Sequence, residues 1–373
     1  MKILLMSTGG TFGQVKNEQF ISTFESDFSE TEKLLSDEYV AELIESFRTV
    51  PHSETIETID QIPICKKDSS NIIPEDWGKM VQKIYENYDN YQAFIIVHGT
   101  NTLGYTCAAL TYALGRLGKP VILIGSQIPY GYPGSDAKTN LENALRVATQ
   151  KKRTDLAGVM AVFGSQIISG ARVEKTTEFA FDAFRAFFWG TLGKVGVNVE
   201  FNTEELNEHL SYLNPKARSK SELDINADFS MDEIVVLNEF PGMTSDLLKM
   251  LVDSPMANEK SIKGIILRST GAGDPNITKG DEQKSLRDGF EYLKEKQIPI
   301  IVSTQSPDGV ASMEINDPGN YAKSLGAIPA WDMSIEAATT KLAWLIAQKF
   351  PYKAIHSMMT QNFRGEVKAT RER

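Results

Sequence analysis

Cysteine, histidine and long apolar runs are all scarce in this sequence of 373 residues. The two cysteines, Cys65 and Cys107, are far apart and form no disulfide framework, so we expect a cytoplasmic location. With four histidines and no clustered ligand spacing, we expect no metal site. No apolar run is long enough to span a membrane, and we interpret the apolar residues 1–6 as a buried strand rather than a signal peptide.

Acidic residues outnumber basic residues: the chain has 49 Asp and Glu and 39 Lys and Arg, which gives a formal net charge of -10. Proteins that hold a nucleic-acid backbone need a basic patch, so this balance argues against nucleic acid as a partner. Hydrophobic residues make up 41% of the chain and charged residues 24%, which is typical of a globular protein with a sizeable core. The length is sufficient for two domains.

Short apolar runs alternate with amphipathic stretches along the chain. The runs are rich in Val and Ile and lack polar alternation, which predicts an α/β fold with parallel strands buried on both faces. The predicted strands are residues 93–97, 120–124, 157–162, 233–237, 264–267 and 299–302. The predicted helices are residues 37–47, 74–88, 102–117, 138–150, 284–296 and 334–349.

A composition shift suggests how the chain is divided. Residues 201–231 are polar and charged, so we interpret them as a linker between a larger domain, 1–200, and a smaller one, 232–373. A second irregular region, residues 12–50, follows the first strand. A long loop beside a site is often a lid, whereas a plain surface excursion that ends in a helix is the alternative for its second half.

Two threonine-containing turns follow predicted strands, TGGT at residues 8–11 and HGTNT at residues 98–102. The carboxyl ends of parallel strands are where open α/β sheets bind ligands. Glycine turns aim N–H groups at a developing oxyanion, and a threonine hydroxyl attacks an acyl carbon once its proton is removed. An ordinary tight turn is the alternative for residues 8–11. We interpret His98 as a hydrogen-bonded structural residue and Thr102 as the cap of the following helix.

Several separate segments, in the family's order and along nearly the whole chain, resemble the bacterial-type L-asparaginase family. They are residues 8–11, 68–77, 98–102, 118–129, 170–184 and 266–274. The short spacing of the second signature and the absence of a secretion signal resemble the cytoplasmic, type I branch. The resemblance implies a larger N-terminal domain with a mostly parallel sheet flanked by helices, and a smaller C-terminal α/β domain.

The resemblance also implies an activity, the hydrolysis of L-asparagine to L-aspartate and ammonia without a cofactor, with L-glutamine left open as a substrate. Thr11 would be the nucleophile, and Thr100, Asn101 and Lys175 would form a second catalytic group. Lys175 must be partly neutral to act as a base. The implied substrate-binding residues are Gly10, Ser69, Ser70, Asn71, Gly99, Ser126 and Asp274. A homodimer or homotetramer is implied, with each site completed by the partner's second domain.

Three positions depart from the family pattern. Asn101 replaces an aspartate that pairs with the lysine and binds the substrate's α-ammonium, and losing that charge costs about 1.5–3 kcal/mol, or roughly ten- to a hundredfold in affinity. Phe20 stands where the family has a loop tyrosine. Asp274 stands where the family usually has asparagine, and we hypothesise that it replaces part of the lost charge from a neighbouring subunit. The alternative is that Asp274 caps a turn before Pro275 and faces water.

Two alternative functions follow from these departures and from the different activities of related proteins. One is a non-catalytic relative that binds an amino acid as a sensor or structural subunit, motivated by Asn101 and Phe20. The other is an amidase subunit that acts on a tRNA-linked substrate. Its archaeal members carry an added domain before the first signature, whereas Thr8 is almost at the start here, which disfavours that function. Ammonia release from asparagine and glutamine would distinguish the three.

Overall fold

The computed structural model describes residues 1–9, 34–256, 260–277 and 284–368. The chain divides into two compact units, residues 1–227 and 228–373. Each unit has a central sheet with flanking helices, so the predicted α/β class is confirmed. In these described ranges, no helix has both the length and the apolar character needed to cross a lipid bilayer.

The first unit is built on one large sheet. Its strands are β1 (Lys2–Gly9), β2 (Thr58–Lys67), β3 (Ala93–Val97), β4 (Pro120–Ile124), β5 (Gly158–Phe163), β6 (Gln166–Ser169), β7 (Val173–Lys175), β8 (Phe184–Ala186), β9 (Gly193–Val195) and β10 (Val199–Phe201). Its helices are α1 (Asp37–Phe47), α2 (Pro74–Asn87), α3 (Leu103–Ala113), α4 (Ala137–Ala148) and α5 (Thr203–Ser211). Within the described part of this unit, eight strands pair in the order β10-β9-β6-β5-β4-β3-β1-β2, and β7 pairs separately with β8.

The centre of this sheet is parallel and its edge is antiparallel. Strands β2, β1, β3, β4 and β5 pair in parallel, while β6, β9 and β10 continue the sheet antiparallel. Every residue of β3, β4 and β5 is buried, which explains why their sequences are continuous apolar runs. The predicted strands at 93–97 and 120–124 are confirmed at the same residues. Because β1, β3 and β4 are neighbours, their carboxyl ends meet at one edge.

The stretch 201–231, predicted as a linker, contains the helix α5. Asn202 caps this helix by accepting hydrogen bonds from two backbone N–H groups of its first turn. Leu206 and His209 are buried, and the His209 ring lies 3.1 Å from both Ala157 O and Ser169 Oγ. Burial lowers the pKa of His209 to about 4, so the ring is neutral at physiological pH. The segment therefore begins as a packed part of the first unit.

The second unit has a smaller, fully parallel sheet with helices on both faces. Its strands are β11 (Ile234–Asn238), β12 (Gly264–Ser269), β13 (Ile300–Thr304) and β14 (Ile328–Pro329), paired in that order. Its helices are α6 (Ser245–Asp253), α7 (Arg287–Glu295), α8 (Asp317–Ser324), α9 (Ile335–Ala347) and α10 (Tyr352–Met359). Ile265 and Leu267 belong to one apolar cluster and Ile266 to another, because alternate residues of a strand face opposite sides.

A buried ion pair anchors the segment after α10. Lys341 of α9 and Glu366 are both fully buried, with 2.6 Å between Nζ and Oε1. Lys341 also donates to Met359 O at 3.2 Å, and Glu366 accepts from the backbone N–H groups of Phe363 and Arg364. Since both charges find several polar partners, the desolvation cost of the pair is offset and the turn is fixed to α9.

Candidate active site

The loop after β3 is fastened to the turn that follows β2. Residues 69–71 form a single 3-10 turn, and the Asn101 N–H donates to Ser69 Oγ at 3.1 Å. Thr102 occupies the N-cap position of α3, but its side chain makes no capping hydrogen bond. The capping prediction for Thr102 is therefore wrong at the level of the side chain, because its hydroxyl donates instead to Ser69 O at 2.6 Å. These bonds hold the two turns together at one edge of the sheet.

Lys175 reaches the same loop from the end of β7. Its Nζ lies 2.9 Å from Thr100 Oγ1 and 3.0 Å from Asn101 Oδ1. Partial burial lowers the pKa of the Lys175 ammonium, while the charges of Glu178 and Asp68 oppose that shift. A neutral amine can accept a proton from a hydroxyl at this distance. The structure thus brings Lys175 to Thr100 and Asn101, which lie 75 and 74 positions earlier in the chain.

The amide of Asn101 bridges the lysine and the second turn. Its Nδ2 donates to Ser70 Oγ at 3.1 Å, while its Oδ1 accepts from Lys175. Ser70, Asn71 and Asn101 are exposed, so a small ligand can reach them. The Ser70 N–H in turn donates to Asp68 Oδ1 at 2.8 Å, which caps the turn. Because an amide has no net charge, it can hold the lysine in place without stabilising the protonated form as a carboxylate would.

A buried chain of hydrogen bonds supports the loop that contains residues 98–102. The Trp77 Nε1–H donates to Thr106 Oγ1 at 3.0 Å, and the same hydroxyl lies 3.0 Å from His98 Nε2. The other ring nitrogen, Nδ1, lies 2.7 Å from Gly99 O. Since Thr106 accepts from Trp77, its proton points to Nε2, and His98 donates through Nδ1 to Gly99. Burial lowers the pKa of His98 to about 4, consistent with this neutral form and with the predicted structural role.

The ends of β3 and β4 approach each other closely. A Cβ atom on Gly125 would lie 2.6 Å from His98 O and 3.4 Å from Thr100 Cγ2, so only glycine fits. On the other side of the loop, a Cβ on Gly99 would lie 2.7 Å from Ser69 Oγ. Ser126 is buried, and its hydroxyl has no hydrogen-bond partner among the described residues. An unpaired buried hydroxyl beside this loop is available to a ligand.

Three predicted positions, Gly10, Thr11 and Phe20, lie outside the described residues. The neighbouring Thr8 donates from Oγ1 to Val97 O at 3.2 Å, which ties the end of β1 to the end of β3. The described end of β1 therefore lies beside the end of β3.

Asp274 belongs to the second unit and is half-buried in a turn. Its Oδ2 accepts from Asn316 Nδ2 at 2.6 Å and from the Ala272 N–H at 3.4 Å, as expected of a turn-capping residue. Its Oδ1 is buried and has no partner among the described residues. A contribution of Asp274 to a neighbour's site stays a prediction.

The residues that sequence reasoning missed here are Thr106 and Trp77. Both lie on helices, and nothing in their local sequence distinguishes them from ordinary core positions, since their partner is a histidine on another element. Across the described ranges, no group of three or more His, Cys, Asp or Glu side chains is placed to hold a metal ion.

Known proteins resemble both units. The family model "Asparaginase, N-terminal" matches residues 2–207, and "Glutaminase/Asparaginase C-terminal domain" matches residues 233–359. L-asparaginase 1 of Escherichia coli is 32% identical over 302 residues, covering 80% of this chain and 82% of that protein. L-asparaginase of Thermococcus kodakarensis is 30% identical, covering 98% and 99%. A glutamyl-tRNA(Gln) amidotransferase component from Pyrococcus abyssi is 29% identical, and the match spans 80% of this chain and 64% of that protein.

Solved structures give the same answer for the fold. The thermostable L-asparaginase from Thermococcus kodakarensis superposes with a TM-score of 0.78 at 26% identity and covers 99% of each chain. L-asparaginase I from Vibrio cholerae superposes with a TM-score of 0.78 at 28% identity and covers 98% of this chain and 99% of its own. With matching family models over both units and relatives at 30% identity or more over most of its length, this chain belongs to the asparaginase family.

Proposed function

We propose that this protein hydrolyses the side-chain amide of L-asparagine to L-aspartate and ammonia. The observation that carries the proposal is the contact of Lys175 Nζ with Thr100 Oγ1 and Asn101 Oδ1, at 2.9 and 3.0 Å. In a member of the asparaginase family, a partly desolvated amine thus lies within hydrogen-bond distance of a threonine hydroxyl, at the sheet edge where parallel strands end. Such a pair is suited to moving a proton during attack on an amide carbon.

In the proposed reaction, the Thr11 oxygen attacks the amide carbon, and the proton of its hydroxyl passes to the amide nitrogen. The tetrahedral intermediate then expels ammonia as the C–N bond breaks, which leaves an ester between threonine and the β-carboxyl group of aspartate. Water attacks this ester, and the free carboxylate and the threonine hydroxyl are restored. Thr100 and Lys175 would relay the proton that water loses and deliver it to the leaving oxygen.

The amino-acid end of the substrate would be held by Ser70, Asn71 and Asn101. Asn101 offers a dipole where a carboxylate would offer a full charge to the α-ammonium. We therefore expect weaker substrate binding than with aspartate at this position, by roughly ten- to a hundredfold. The Ser126 hydroxyl, which is buried and unpaired in the described structure, would meet a polar atom of the substrate.

The proposal also covers the protein's assembly and location. We propose a homodimer or homotetramer in the cytoplasm, in which Asp274 of a partner approaches the site. Sedimentation velocity of the purified full chain measures the assembly directly, and a monomer at micromolar concentration would contradict this part of the proposal.

The test is ammonia release from L-asparagine and L-glutamine by the purified protein. We expect turnover of asparagine, and a loss of about 100-fold or more in kcat for Thr100→Val and for Lys175→Met. Thr111→Val and Lys83→Met are matched controls, because the Thr111 hydroxyl donates within α3 to Cys107 O and Lys83 is exposed on α2. Binding of aspartate without any ammonia release would instead favour an amino-acid-binding relative. Activity only with a tRNA-linked substrate would favour the amidotransferase relatives' reaction.

A further inference from the structure

A cavity of about 330 Å³ in the second unit is lined by three lysines. It lies where the ends of α7 and α8 meet the first half of α10. Lys294 lies in the last turn of α7, Lys323 in the last turn of α8, and Lys353 in the first turn of α10. The other lining residues are a tyrosine, a histidine, a glycine and two serines, so none of the described residues that line the cavity is a carboxylate. In a protein with a net charge of -10, this is a local reversal of sign.

Two of the three lysines have local explanations. The last turns of helices favour cations, which accounts for Lys294 and Lys323. Lys323 also pairs with Glu314 at 2.9 Å, and Lys294 Nζ donates to Ser324 O at 3.2 Å. Lys353 is different, because it lies in the first turn of α10, where the helix dipole disfavours a cation. That turn contains no acidic residue to offset it.

Tyr352 and His356 add uncharged donors to the cavity. Burial raises the pKa of Tyr352, so its hydroxyl keeps its proton. Burial, and to a smaller extent the charge of Lys294, lowers the pKa of His356. Gly326 has a φ of +102°, and a Cβ there would lie 3.1 Å from Tyr352 Oη and 3.3 Å from Lys294 Cδ. The glycine thus leaves open the space between the donors.

We infer that this cavity binds a compact anion with two or more negative charges, carried by a phosphate group or a pair of carboxylates. Ammonium groups are point charges that suit such oxygens, and the hydroxyl and imidazole add neutral donors. The volume is at the lower end of the range for small-molecule sites, so the ligand is a metabolite and not a polymer. The bound anion would compensate Lys353 and the start of α10. The inference is independent of the proposed function, because no proposed catalytic residue lines the cavity.

The test is isothermal titration calorimetry of the full chain with inorganic phosphate and, separately, with malonate, at an ionic strength held constant with NaCl. The test variant is Lys294→Gln with Lys353→Gln, and both lysines are exposed, so we expect it to fold. The control is Lys249→Gln with Lys296→Gln, which removes the same charge from the same unit but does not line the cavity.

We expect saturable binding of at least one probe to the wild type and the control, and at least a tenfold weaker affinity in the test variant. Binding of phosphate alone identifies a phosphate-bearing ligand, and binding of malonate alone identifies a dicarboxylate. Tyr352→Phe is expected to weaken the same probe without changing the charge. The inference is overturned if neither probe binds saturably to the wild type, or if the test and control variants bind equally well.

Discussion

Lys175 Nζ lies 3.0 Å from Asn101 Oδ1, so an amide occupies the place at which a carboxylate would form an ion pair with the lysine. Partial burial has the largest influence on the pKa of Lys175 and lowers it. An adjacent carboxylate would act in the opposite direction, because it stabilises the charged ammonium. We therefore expect Asn101, compared with an aspartate at this position, to have two effects: a weaker hold on a substrate ammonium and a larger neutral fraction of Lys175.

The variant Asn101→Asp separates these effects. The new charge raises the pKa of Lys175, so a higher pH is needed to form the neutral amine. We expect the acidic limb of the kcat/KM profile to move to higher pH, while KM for asparagine falls roughly ten- to a hundredfold at a pH above that limb. Profiles of ammonia release from pH 5 to 10 measure both. An acidic limb that stays in place would show that Lys175 is not the titrating base. Asn101→Ser, which adds no charge, is the control.

Asp274 is predicted to compensate for Asn101 across a subunit boundary. A double-mutant cycle with Asn101→Asp and Asp274→Asn tests this, and the asparagine at 274 can still accept from Asn316 within the turn. We expect Asp274→Asn to impair asparagine turnover in the wild type but to be nearly neutral in the Asn101→Asp background. That outcome corresponds to a coupling of about 0.5–3 kcal/mol in kcat/KM. Additive effects would leave Asp274 with a local role in its turn.

We predict that Thr106 positions the turn at residues 98–102 through its contact with His98. Thr106→Val removes the hydroxyl that accepts from Trp77 and lies against His98 Nε2, and each hydrogen bond lost by a buried group costs about 1–3 kcal/mol of stability. The ring of His98 then loses its fixed orientation toward Gly99 O. We expect kcat to fall about 10- to 100-fold, because the turn at residues 98–102 shifts and Thr100 loses its position against Lys175.

The conservative variant Thr106→Ser keeps the hydroxyl and is expected to restore kcat. Steady-state kinetics at 10 °C, with circular dichroism to confirm folding, makes the comparison. A folded Thr106→Val protein with an unchanged kcat would reduce this hydrogen-bond chain to a purely structural feature.

The buried pair of Lys341 and Glu366 is predicted to be a major element of stability in the second unit. Replacing Lys341 by Met leaves an uncompensated buried carboxylate, at a cost of about 3–5 kcal/mol in the free energy of unfolding. The exposed pair of Lys83 and Glu86 is the control, and Lys83→Met should cost less than about 1 kcal/mol. Urea unfolding measures both. A similar small loss at both positions would contradict the prediction.

Much of the fold follows from local pattern. The strands β3 and β4 are runs of Val, Ile and other apolar residues with no polar interruption, and both begin and end where the sequence predicted. The helices α1 and α2 agree with prediction within a residue. In contrast, the sequence did not predict α5, because it lies in a polar stretch. One of its buried residues is the polar His209, whose ring forms hydrogen bonds with groups on other elements. The three-residue strands β9 and β10 are too short to produce a pattern.

The candidate site divides in the same way. The turn at residues 98–102 could be placed at a strand end from the sequence alone, since it follows an apolar run and precedes a helix. That Lys175 joins this turn was implied only by the family resemblance, because no local rule relates residues about 75 positions apart. The hydrogen bonds of Thr106, and the donation by Thr102 to Ser69 O in place of a helix cap, depend on packing between elements.

The contact between Gly125 and the carbonyl of His98 limits how the proposed substrate site can be changed. Even a methyl group at residue 125 would separate the ends of β3 and β4. The backbone therefore sets the distance between these two strand ends, and no side chain at residue 125 can adjust it. Engineering for a longer amide substrate should therefore work on the exposed residues Ser70, Asn71 and Asn101. Libraries that vary residue 125 would consist mostly of misfolded protein.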